Sequence, residues 1–311
     1  MFEQFLNEIF QGDAEVISYV ARAMGYFLTG NTSEQVLLIC HGEGANGKGT
    51  LLNTMVRLLG DYAQTLPGDA LIQKRPGSAT NDVAGIEGLR LVIANELPGS
   101  ARLNEQLVKS ITGGDNLRAR MLYGEFREFI PQAKVVIVTN HPPELSAGDE
   151  AWFRRIHLVP FVHTVPPNRR DLNLSKKLDA EFEGTLAFAV AGSLERNRIG
   201  LAAPAAVVAA TAAYRNALDV VQQFVHSECT VSAGTRVGSR ELVDAYTIWC
   251  TASGEKRVSQ TEFKTRLAQL GFIQKRSNKG TTYGGLELAN PSPGTSPVPS
   301  SMAGVGTPTN T

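Results

Sequence analysis

The chain has 311 residues, and its 30 Lys and Arg balance its 30 Asp and Glu, so no net charge draws it toward nucleic acid or membranes. A hydrophobic content of 42% and a charged content of 19% indicate an ordinary globular protein. Three cysteines without paired spacing argue against a disulfide framework or a zinc site, and no apolar run is long enough to span a bilayer. We therefore expect a cytoplasmic protein with no membrane partner.

Residues 1–32 predict a helical segment, because apolar side chains recur there at helical spacing. The first helix is indicated by Phe2, Phe5, Leu6, Ile9 and Phe10, and the second by Val16, Ile17, Val20, Ala23, Met24 and Phe27. Between them, Gly12 ends the first helix and Asp13 caps the second. We expect this pair to pack ahead of the domain that follows.

A glycine-rich loop lies between an apolar run at residues 36–40 and a helical pattern that begins at Leu51. Strand, glycine loop and helix in this order are the context in which a phosphate-binding loop works. The glycines let the main chain approach phosphate oxygens, and the helix N-terminus adds an electrostatic attraction. The candidate binding residues are Gly42, Gly44, Asn46, Gly47, Lys48, Gly49 and Thr50.

Lys48 is expected to reach the β- and γ-phosphates of a nucleoside triphosphate, while a hydroxyl behind it holds Mg2+. Gly49 occupies the position after the lysine where Ser or Thr is usual, so Thr50 supplies the hydroxyl. The alternative is a glycine-rich turn that binds nothing, and four glycines around a lysine in this context disfavour it. The loop therefore predicts a nucleotide site.

Short apolar runs alternate with helical stretches from Val36 to about Phe161, which indicates an α/β sheet domain. We place this domain at residues 33–200. The predicted strands are residues 36–40, 89–94, 135–139 and 156–161. Glu96 follows the second run and is a candidate to orient Mg2+ or to activate the attacking water, against the alternative of a surface glutamate. Asn140 follows the third run and is a candidate hydrogen-bond partner of the γ-phosphate or the water, against a plain role in the next turn.

Two arginine pairs are candidates for phosphate contacts. Arg154 and Arg155 stand just before the last predicted strand, where one could stabilise charge on a transferred phosphoryl group, although adjacent arginines are also common as surface charge. Residues 117–134 predict a β-hairpin in which Arg118 and Arg120 share one face of a strand. That face suits either nucleic-acid phosphates or solvent alone.

The rest of the chain divides into three parts by composition. Residues 201–219 include an alanine-rich stretch that predicts a helical connector. Residues 220–289 predict a separate small unit with a β-wing, and its basic stretch at 255–280 includes Lys275 and Arg276. Residues 290–311 are rich in Pro, Gly, Ser and Thr and carry no charge, which predicts disorder.

Five motifs occur in a fixed order along the chain. They are Gly-Glu-Gly-Ala-Asn-Gly-Lys-Gly-Thr at 42–50, Ala-Asn-Glu at 94–96, Lys-Ser-Ile-Thr-Gly-Gly-Asp at 109–115, Val-Thr-Asn-His-Pro-Pro at 138–143 and Trp-Phe-Arg-Arg-Ile-His-Leu-Val-Pro-Phe at 152–161. From residue 1 to residue 289, the chain resembles the helicase part of phage and plasmid primase–helicases, which are superfamily 3 helicases, and of their poxvirus relatives. The resemblance implies an α/β fold: a P-loop NTPase core of the AAA+-like type, an N-terminal helical segment and a C-terminal winged-helix-like domain.

By this resemblance, the chain is expected to be an ATP-dependent, DNA-stimulated helicase that forms a ring, typically a hexamer, and acts in phage, prophage or plasmid replication. Its location would then be the cytoplasm of a bacterial host. Lys48 and Thr50 would form the Walker A site for ATP and Mg2+, and Glu96 would be the Walker B acid. The family's primase region is not in the sequence, so we expect a stand-alone helicase or an excerpt.

The resemblance also implies roles outside the phosphate loop. Asn140 would be the sensor, and Arg154 or Arg155 would be an arginine finger that reaches the ATP of a neighbouring subunit. The candidate DNA-binding residues are Lys109, Arg118, Arg120, Lys275 and Arg276. The expected partners are single-stranded or forked DNA, further copies of the chain, and a primase or other replication protein.

Two other functions are compatible with the glycine loop. A small-molecule kinase is one, because Gly-Lys-Gly-Thr also occurs in nucleotide kinases, but such an enzyme does not need the separate basic unit at 220–289. A DNA-binding or regulatory protein gated by nucleotide, without unwinding activity, is the other. Glu96 distinguishes that protein from an enzyme, since its replacement by Gln should abolish turnover only if Glu96 acts in hydrolysis.

Overall fold

The computed structural model describes residues 1–73, 81–95, 102–120, 124–143, 145, 150–277 and 280–289, without the side chains of residues 81, 82 and 277. The chain forms two compact units, Met1–Asp219 and Val220–Thr311. The tail at 290–311, for which the sequence predicts disorder, lies outside the described residues. Among the helices that are described, none is long and apolar enough to cross a bilayer.

The first unit alternates strands with helices. Its strands are β1 (Leu37–His41), β2 (Ala63–Pro67), β3 (Leu91–Asn95), β4 (Leu117–Ala119), β5 (Arg127–Phe129), β6 (Lys134–Thr139) and β7 (Ile156–Pro160). Its helices are α1 (Phe2–Ile9), α2 (Ala14–Phe27), α3 (Lys48–Leu59), α4 (Asn81–Ala84), α5 (Glu105–Gly113), α6 (Glu150–Phe153), α7 (Leu174–Asp179), α8 (Phe182–Ile199) and α9 (Ala205–Leu218). Short 3-10 turns occur at Gly60–Tyr62, Gly68–Leu71 and Pro167–Arg169.

Within the described residues, five strands form one parallel sheet in the order β2-β3-β6-β1-β7. Side chains alternate along a strand, so Leu38 of β1 enters one hydrophobic core while Leu37 and Ile39 enter another. Both faces of the sheet are therefore covered, which explains why its inner strands read as continuous apolar runs. The sheet confirms the predicted α/β class.

Helices cover the sheet on both faces. The core on one face joins β1 to α1, α2, α3 and α8, and the core on the other face joins it to α5 and α6. Asp13 caps α2, because its Oδ1 accepts hydrogen bonds from the N–H groups of Glu15 and Val16, each at 3.1 Å. The first 27 residues thus share a core with the sheet.

Helices α2 and α8 meet through two glycines. A Cβ atom at Gly192 would collide with the carbonyl oxygen of Ala21, and one at Gly25 would collide with the backbone of Ser193. The two backbones therefore touch directly, and no other residue type allows the helices to come this close.

Some elements differ from the sequence prediction. The apolar pattern does not indicate β2, because only Leu66 among its five residues is buried, as is usual for a strand at the edge of a sheet. The hairpin is shorter than predicted, with three paired residues in each of β4 and β5 and Arg118 opposite Glu128. Two helices, α7 and α8, follow the last strand of the sheet, beyond the alternating strands and helices that the sequence pattern indicates.

The alanine-rich helix α9 covers the edge strand β7. The Thr211 hydroxyl accepts a hydrogen bond from the Leu158 N–H at 3.0 Å, and the Tyr214 hydroxyl donates to the carbonyl of Pro143. This segment, which the sequence predicts to be a connector, lies within the first unit. Helix α9 thus covers the outer side of β7, which prevents another strand from adding to this edge of the sheet.

The second unit is smaller. It consists of α10 (Val220–Glu228), β8 (Cys229–Gly238), α11 (Ser239–Ser253), α12 (Gln260–Gln269), β9 (Gln274–Ser277) and β10 (Gly280–Leu288). Its strands form an antiparallel sheet in the order β8-β10-β9. Aromatic rings fill the core, where Tyr246 stacks on Phe263 with 4.4 Å between ring centres. Ser259 caps α12 by accepting a hydrogen bond from the Glu262 N–H at 3.2 Å.

Candidate nucleotide-binding site

The glycine loop runs from the end of β1 to the start of α3. At two of its positions, close packing leaves room only for glycine. Gly47, the last residue before α3, has a φ of +83°, and a Cβ there would lie 2.5 Å from Cγ2 of Ile9 in α1. A Cβ at Gly42 would collide with the carbonyl oxygen of Phe161. The loop is therefore enclosed between α1 on one side and the chain that leaves β7 on the other.

Asn46 is buried and fixes the shape of the loop. Its Nδ2 donates a hydrogen bond to the carbonyl of Phe161 at 3.0 Å, and the Phe161 N–H in turn donates to the carbonyl of His41 at 2.7 Å. Asn46, which the sequence predicts to bind phosphate, thus attaches the loop to the chain that leaves β7. Gly44 and Gly49 differ, because a Cβ at either position would meet no atom within 4 Å.

Lys48 and Asn140 meet at the carboxyl edge of the sheet. The Lys48 Nζ donates to the Asn140 Oδ1 at 3.2 Å, to the Glu43 carbonyl at 3.3 Å and to the Gly42 carbonyl. The His41 Nε2 donates to the carbonyl of Asn140 at 3.1 Å. Burial lowers the pKa of both Lys48 and His41. The strands β1 and β6 are neighbours in the sheet. Their pairing brings together Lys48 and Asn140, two predicted site residues that are far apart in sequence.

A cavity of about 390 Å³ adjoins the loop. Gly47 and Thr50 line one side, and the apolar side chains of Phe5 and Ile9 in α1 line another. Thr50, the predicted Mg2+ ligand, is half-buried on this wall, in the first turn of α3. The sequence motifs indicate neither the cavity nor the part that α1 takes in its wall. Nothing local in the sequence shows that α1 reaches the loop.

Glu96 lies outside the described residues. The strand that precedes it, β3, is parallel to β6 and ends at Asn95 opposite Val138. It therefore ends at the same edge of the sheet as the glycine loop. Since β6 separates β3 from β1, the ends of these two strands lie about 10 Å apart at ~4.8 Å per strand.

Arg154 and Arg155 lie at the opposite edge of the sheet from Lys48. The Arg155 carbonyl accepts a hydrogen bond from the N–H of Leu37, where β1 begins, at 2.7 Å. The five residues of β1 span roughly 15 Å at ~3.3 Å each, which separates the arginines from the loop of their own chain. Arg154 is exposed without a side-chain partner among the described residues, whereas Arg155 is half-buried with its Nη1 3.5 Å from the Thr112 hydroxyl.

The hairpin of β4 and β5 presents a stacked surface. The guanidinium carbons of Arg118 and Arg120 lie 4.7 Å and 4.9 Å from the ring centre of Phe126, which is itself exposed. The two arginines are therefore neighbours, as their alternation along the strand predicts. Phe126 is missing from the predicted contacts, although an aromatic residue beside a turn is a visible signal. Lys109 instead lies over the ring of Trp152, with 5.4 Å between the amine and the ring centre.

The second unit carries a basic surface of its own. Lys275 and Arg276 follow one another on β9 and so point to opposite faces of the strand. Arg276 lines a surface depression of about 810 Å³ together with Arg240 and Lys264. Arg240 lies outside the basic stretch at 255–280, and only the fold reveals its contribution.

The parallel sheet, with a glycine loop between β1 and α3 and a buried lysine at its edge, defines an α/β protein with a P-loop-like core. Two family models match the sequence. Residues 40–155 match a family described as being of unknown function (DUF5906), and residues 217–284 match a family described as Poxvirus D5 protein-like. The second match falls almost entirely on the second unit.

Two viral proteins align with most of the chain. "Putative helicase L207/L206" of Acanthamoeba polyphaga mimivirus is 30% identical over 240 residues, which are 71% of this chain and 25% of that protein. "Putative helicase 022R" of Frog virus 3 (isolate Goorha) is 26% identical over 270 residues, which are 80% of this chain and 28% of that protein. The chain thus spans about a quarter of the length of these relatives.

The fold is shared with a solved structure, the A-form apo structure of the NrS-1 C-terminal region. Its TM-score with this chain is 0.53 at 11% identity, and the match covers 90% of this chain and 73% of that one. Together these findings confirm the resemblance that the motif order indicates. The chain is similar to D5-like superfamily 3 helicases.

Proposed function

We propose that this chain is the ATP-hydrolysing core of a ring-forming, DNA-stimulated helicase that acts in the replication of a phage, prophage or plasmid. One observation carries the proposal. Lys48 and Asn140 lie at one edge of the sheet, and Arg154 lies at the other. Because a single chain cannot join the two groups, a complete site needs the arginine of a second copy. The similarity to viral helicases supports the same conclusion.

The glycine loop is the proposed phosphate site. Lys48 would exchange its carbonyl partners for the β- and γ-phosphates of ATP, whose negative charge gives stronger hydrogen bonds. The N–H groups at the start of α3 and the helix dipole would hold the same phosphates. The oxygens of Thr50 and Glu96 suit Mg2+, which when bound neutralises phosphate charge.

Hydrolysis needs a base, a positioned water and a positive charge at the γ-phosphate. Glu96 would take the proton from the water, which would lie beyond the end of β6, between the ends of β1 and β3. Asn140 would orient the water or the γ-phosphate. Arg154 of the neighbouring copy would stabilise the charge on the transferred group. We assign this role to Arg154 rather than Arg155 because the side chain of Arg155 is half-buried against Thr112.

Two surfaces suit DNA. The hairpin presents Arg118 and Arg120 around the exposed ring of Phe126, an arrangement that can contact both phosphates and bases of a single strand. The second unit has the order helix, strand, two helices and two strands, with the last strand between the other two, which supports a winged-helix-like domain. Its basic residues, including Lys275 and Arg276, would contact DNA; a partner protein is the alternative.

The proposal is tested by the steady-state rate of ATP hydrolysis per subunit, measured over a range of protein concentrations with and without single-stranded DNA. A site shared between subunits predicts a rate that rises cooperatively with concentration and rises again with DNA. A slow rate that responds to neither would contradict it and would favour a protein gated by nucleotide. Glu96→Gln provides the control for hydrolysis, since it should bind ATP and fail to turn it over.

A further inference from the structure

The side-chain amide of Asn140 is placed by hydrogen bonds rather than by packing. Asn140 follows β6 at the carboxyl edge of the sheet and is exposed, whereas Thr139 before it is buried. An exposed side chain keeps its rotamer freedom unless polar contacts hold the residue. The position of this amide therefore depends on what holds the backbone of its turn.

Two side chains hold the backbone of the turn at Asn140. The His41 Nε2 donates a hydrogen bond to the carbonyl of Asn140 at 3.1 Å. The Thr139 hydroxyl donates to the carbonyl of His141 at 2.6 Å and accepts from the His141 N–H at 3.1 Å. Thr139 belongs to the turn itself, whereas His41 lies on β1. His41 is thus the contact that attaches the turn to the strand that leads into the glycine loop.

The backbone of His41 is itself held on both sides. His41 is the last residue of β1 and pairs in register with Thr139 of β6. Its carbonyl accepts a hydrogen bond from the N–H of Phe161, just after β7, at 2.7 Å. A residue fixed between two neighbouring strands has little backbone freedom, so its ring is a firm support for the Asn140 carbonyl.

The charge state of His41 suits a positioning role better than phosphate binding. Burial lowers the pKa of His41, and the nearby Lys48 and His141 lower it further, so the ring is neutral at pH 7. A neutral ring with its hydrogen on Nε2 still donates to the Asn140 carbonyl, and Lys48 supplies the positive charge of the proposed site. The two residues thus hold Asn140 at two places, its backbone carbonyl and its side-chain Oδ1.

We propose that His41 is a positioning residue for ATP hydrolysis, which holds the backbone of Asn140 so that its side-chain amide faces Lys48 and the γ-phosphate. The inference rests on the proposed function, because the place of Asn140 affects a rate only if the site hydrolyses ATP. In this role, His41 contacts neither the nucleotide nor the attacking water. Its effect on hydrolysis therefore passes through Asn140.

A double-mutant cycle between His41 and Asn140 tests this role, with single-turnover hydrolysis and equilibrium ATP binding as the two measurements. His41→Leu removes the hydrogen-bond donor and keeps an apolar side chain of moderate size, whereas His41→Gln retains an N–H donor on a flexible side chain. We expect His41→Leu to slow hydrolysis about tenfold and to change ATP affinity by no more than about threefold, since small displacements of a positioned group are costly to the rate. His41→Gln should recover most of the original rate.

The background of Asn140→Ala provides the matched control. Because residues that act through one group are not additive, adding His41→Leu to Asn140→Ala should slow hydrolysis by less than about twofold. An equal slowing in both backgrounds would show that His41 acts independently of Asn140 and would overturn the inference.

Three further results would overturn the inference while the original protein hydrolyses ATP. They are an original rate in His41→Leu, a His41→Gln variant as slow as His41→Leu, and a loss of ATP affinity in His41→Leu as large as its loss of rate. If the original protein does not hydrolyse ATP, the proposed function itself is refuted, and the role of His41 is refuted with it.

Discussion

The amine of Lys48 lies 3.2 Å from the side-chain oxygen of Asn140, which joins the loop after β1 to the turn after β6. In the proposed site, Asn140 would lose this donor when Lys48 turns to a phosphate, and its side chain would become free to bond the γ-phosphate or a water. The pair would then couple the arrival of a nucleotide to the geometry of its hydrolysis.

Replacement of Asn140 by Ala should separate binding from turnover. Lys48 and the loop remain, so ATP affinity should change by no more than about threefold, whereas loss of one positioned hydrogen-bonding group should slow hydrolysis by about 10²–10³-fold. Equilibrium binding and single-turnover hydrolysis measure the two effects. Asn140→Asp is the contrasting variant, since its carboxylate would hold Lys48 by charge and weaken ATP binding as well. Equal hydrolysis by Asn140→Ala and the original protein would remove Asn140 from the mechanism.

Two glycines of the loop should respond in opposite ways to a side chain. At Gly47, the left-handed backbone and the contact with Ile9 leave no room, and we expect Gly47→Ala to cost at least about 1–2 kcal/mol and to lower ATP affinity about tenfold. At Gly49, open space surrounds the position, so Gly49→Ser should keep ATP affinity and raise helix stability by a few tenths of a kcal/mol. Thermal unfolding and ATP titration of both variants check this contrast. A tolerant Gly47→Ala would show that the loop rearranges.

An arginine that acts across an interface predicts complementation. Lys48→Ala lacks a phosphate site and Arg154→Ala lacks a finger, so each should be inactive alone. A mixture should recover up to about a quarter of the original rate, the share of random interfaces that pair an intact lysine with an intact arginine. Arg155→Ala is the matched variant, and we expect partial activity from it alone. An inactive mixture would contradict a finger in trans at position 154.

The hairpin arginines should bind single-stranded DNA through phosphates. Removing both in Arg118→Ala/Arg120→Ala should weaken binding and reduce the slope of log affinity against log salt by about 1.4, at ~0.7 for each phosphate that an arginine neutralises. Arg127→Ala is the control, because it removes a charge from the other strand of the same hairpin, where Arg127 lies 3.9 Å from the Glu87 carboxylate. Fluorescence anisotropy across a salt series gives the slopes. An equal effect of Arg127→Ala would mean that general charge, not this face, binds DNA.

His157 should make stability depend on pH. Its Nδ1 lies 2.7 Å from the Tyr19 hydroxyl, and burial lowers its pKa to about 4 from the ordinary 6.5. Between these values the unfolded chain binds a proton that the folded chain refuses, so stability is present above pH 6.5 and is lost as the pH falls toward 4. The loss from this group alone is about 2 kcal/mol at pH 5.

Urea unfolding of the original protein and of His157→Gln at pH 7 and pH 5 measures this contribution. Gln retains a polar atom for the Tyr19 hydroxyl and does not titrate, so the variant should lose less stability between the two pH values. Identical losses in both proteins would show that His157 is not the group that takes up the proton.

The sequence was sufficient for the inner part of the sheet and for the loop. Strands β1, β3 and β6 are buried on both faces, and burial of that kind leaves a continuous apolar run that is visible without a structure. The edge strand β2 leaves no such run. Gly47 could be identified from its motif, but its contact with Ile9 could not, because the approach of α1 to the loop depends on the tertiary fold.

The arginine pair shows a second limit. A motif gives the order of Lys48, Arg154 and Arg155 along the chain, but their separation by the length of β1 follows from the register of β1 with β7, which pairs Leu37 with Ile156. The two arginines differ in their exposure to solvent, which depends on the packing around α6. Because they are the same residue type at adjacent positions, the sequence alone cannot show which of them is exposed.

The direct contact of α2 with α8 limits how this unit can move. Because the main chains meet at Gly25 and Gly192 with no side chains between them, the helices cannot slide past one another without a steric collision. We therefore expect the pair to move as one rigid body, and its amides should be among the slowest of the unit in hydrogen exchange. Any displacement that accompanies the proposed nucleotide turnover would then move α2 and α8 together.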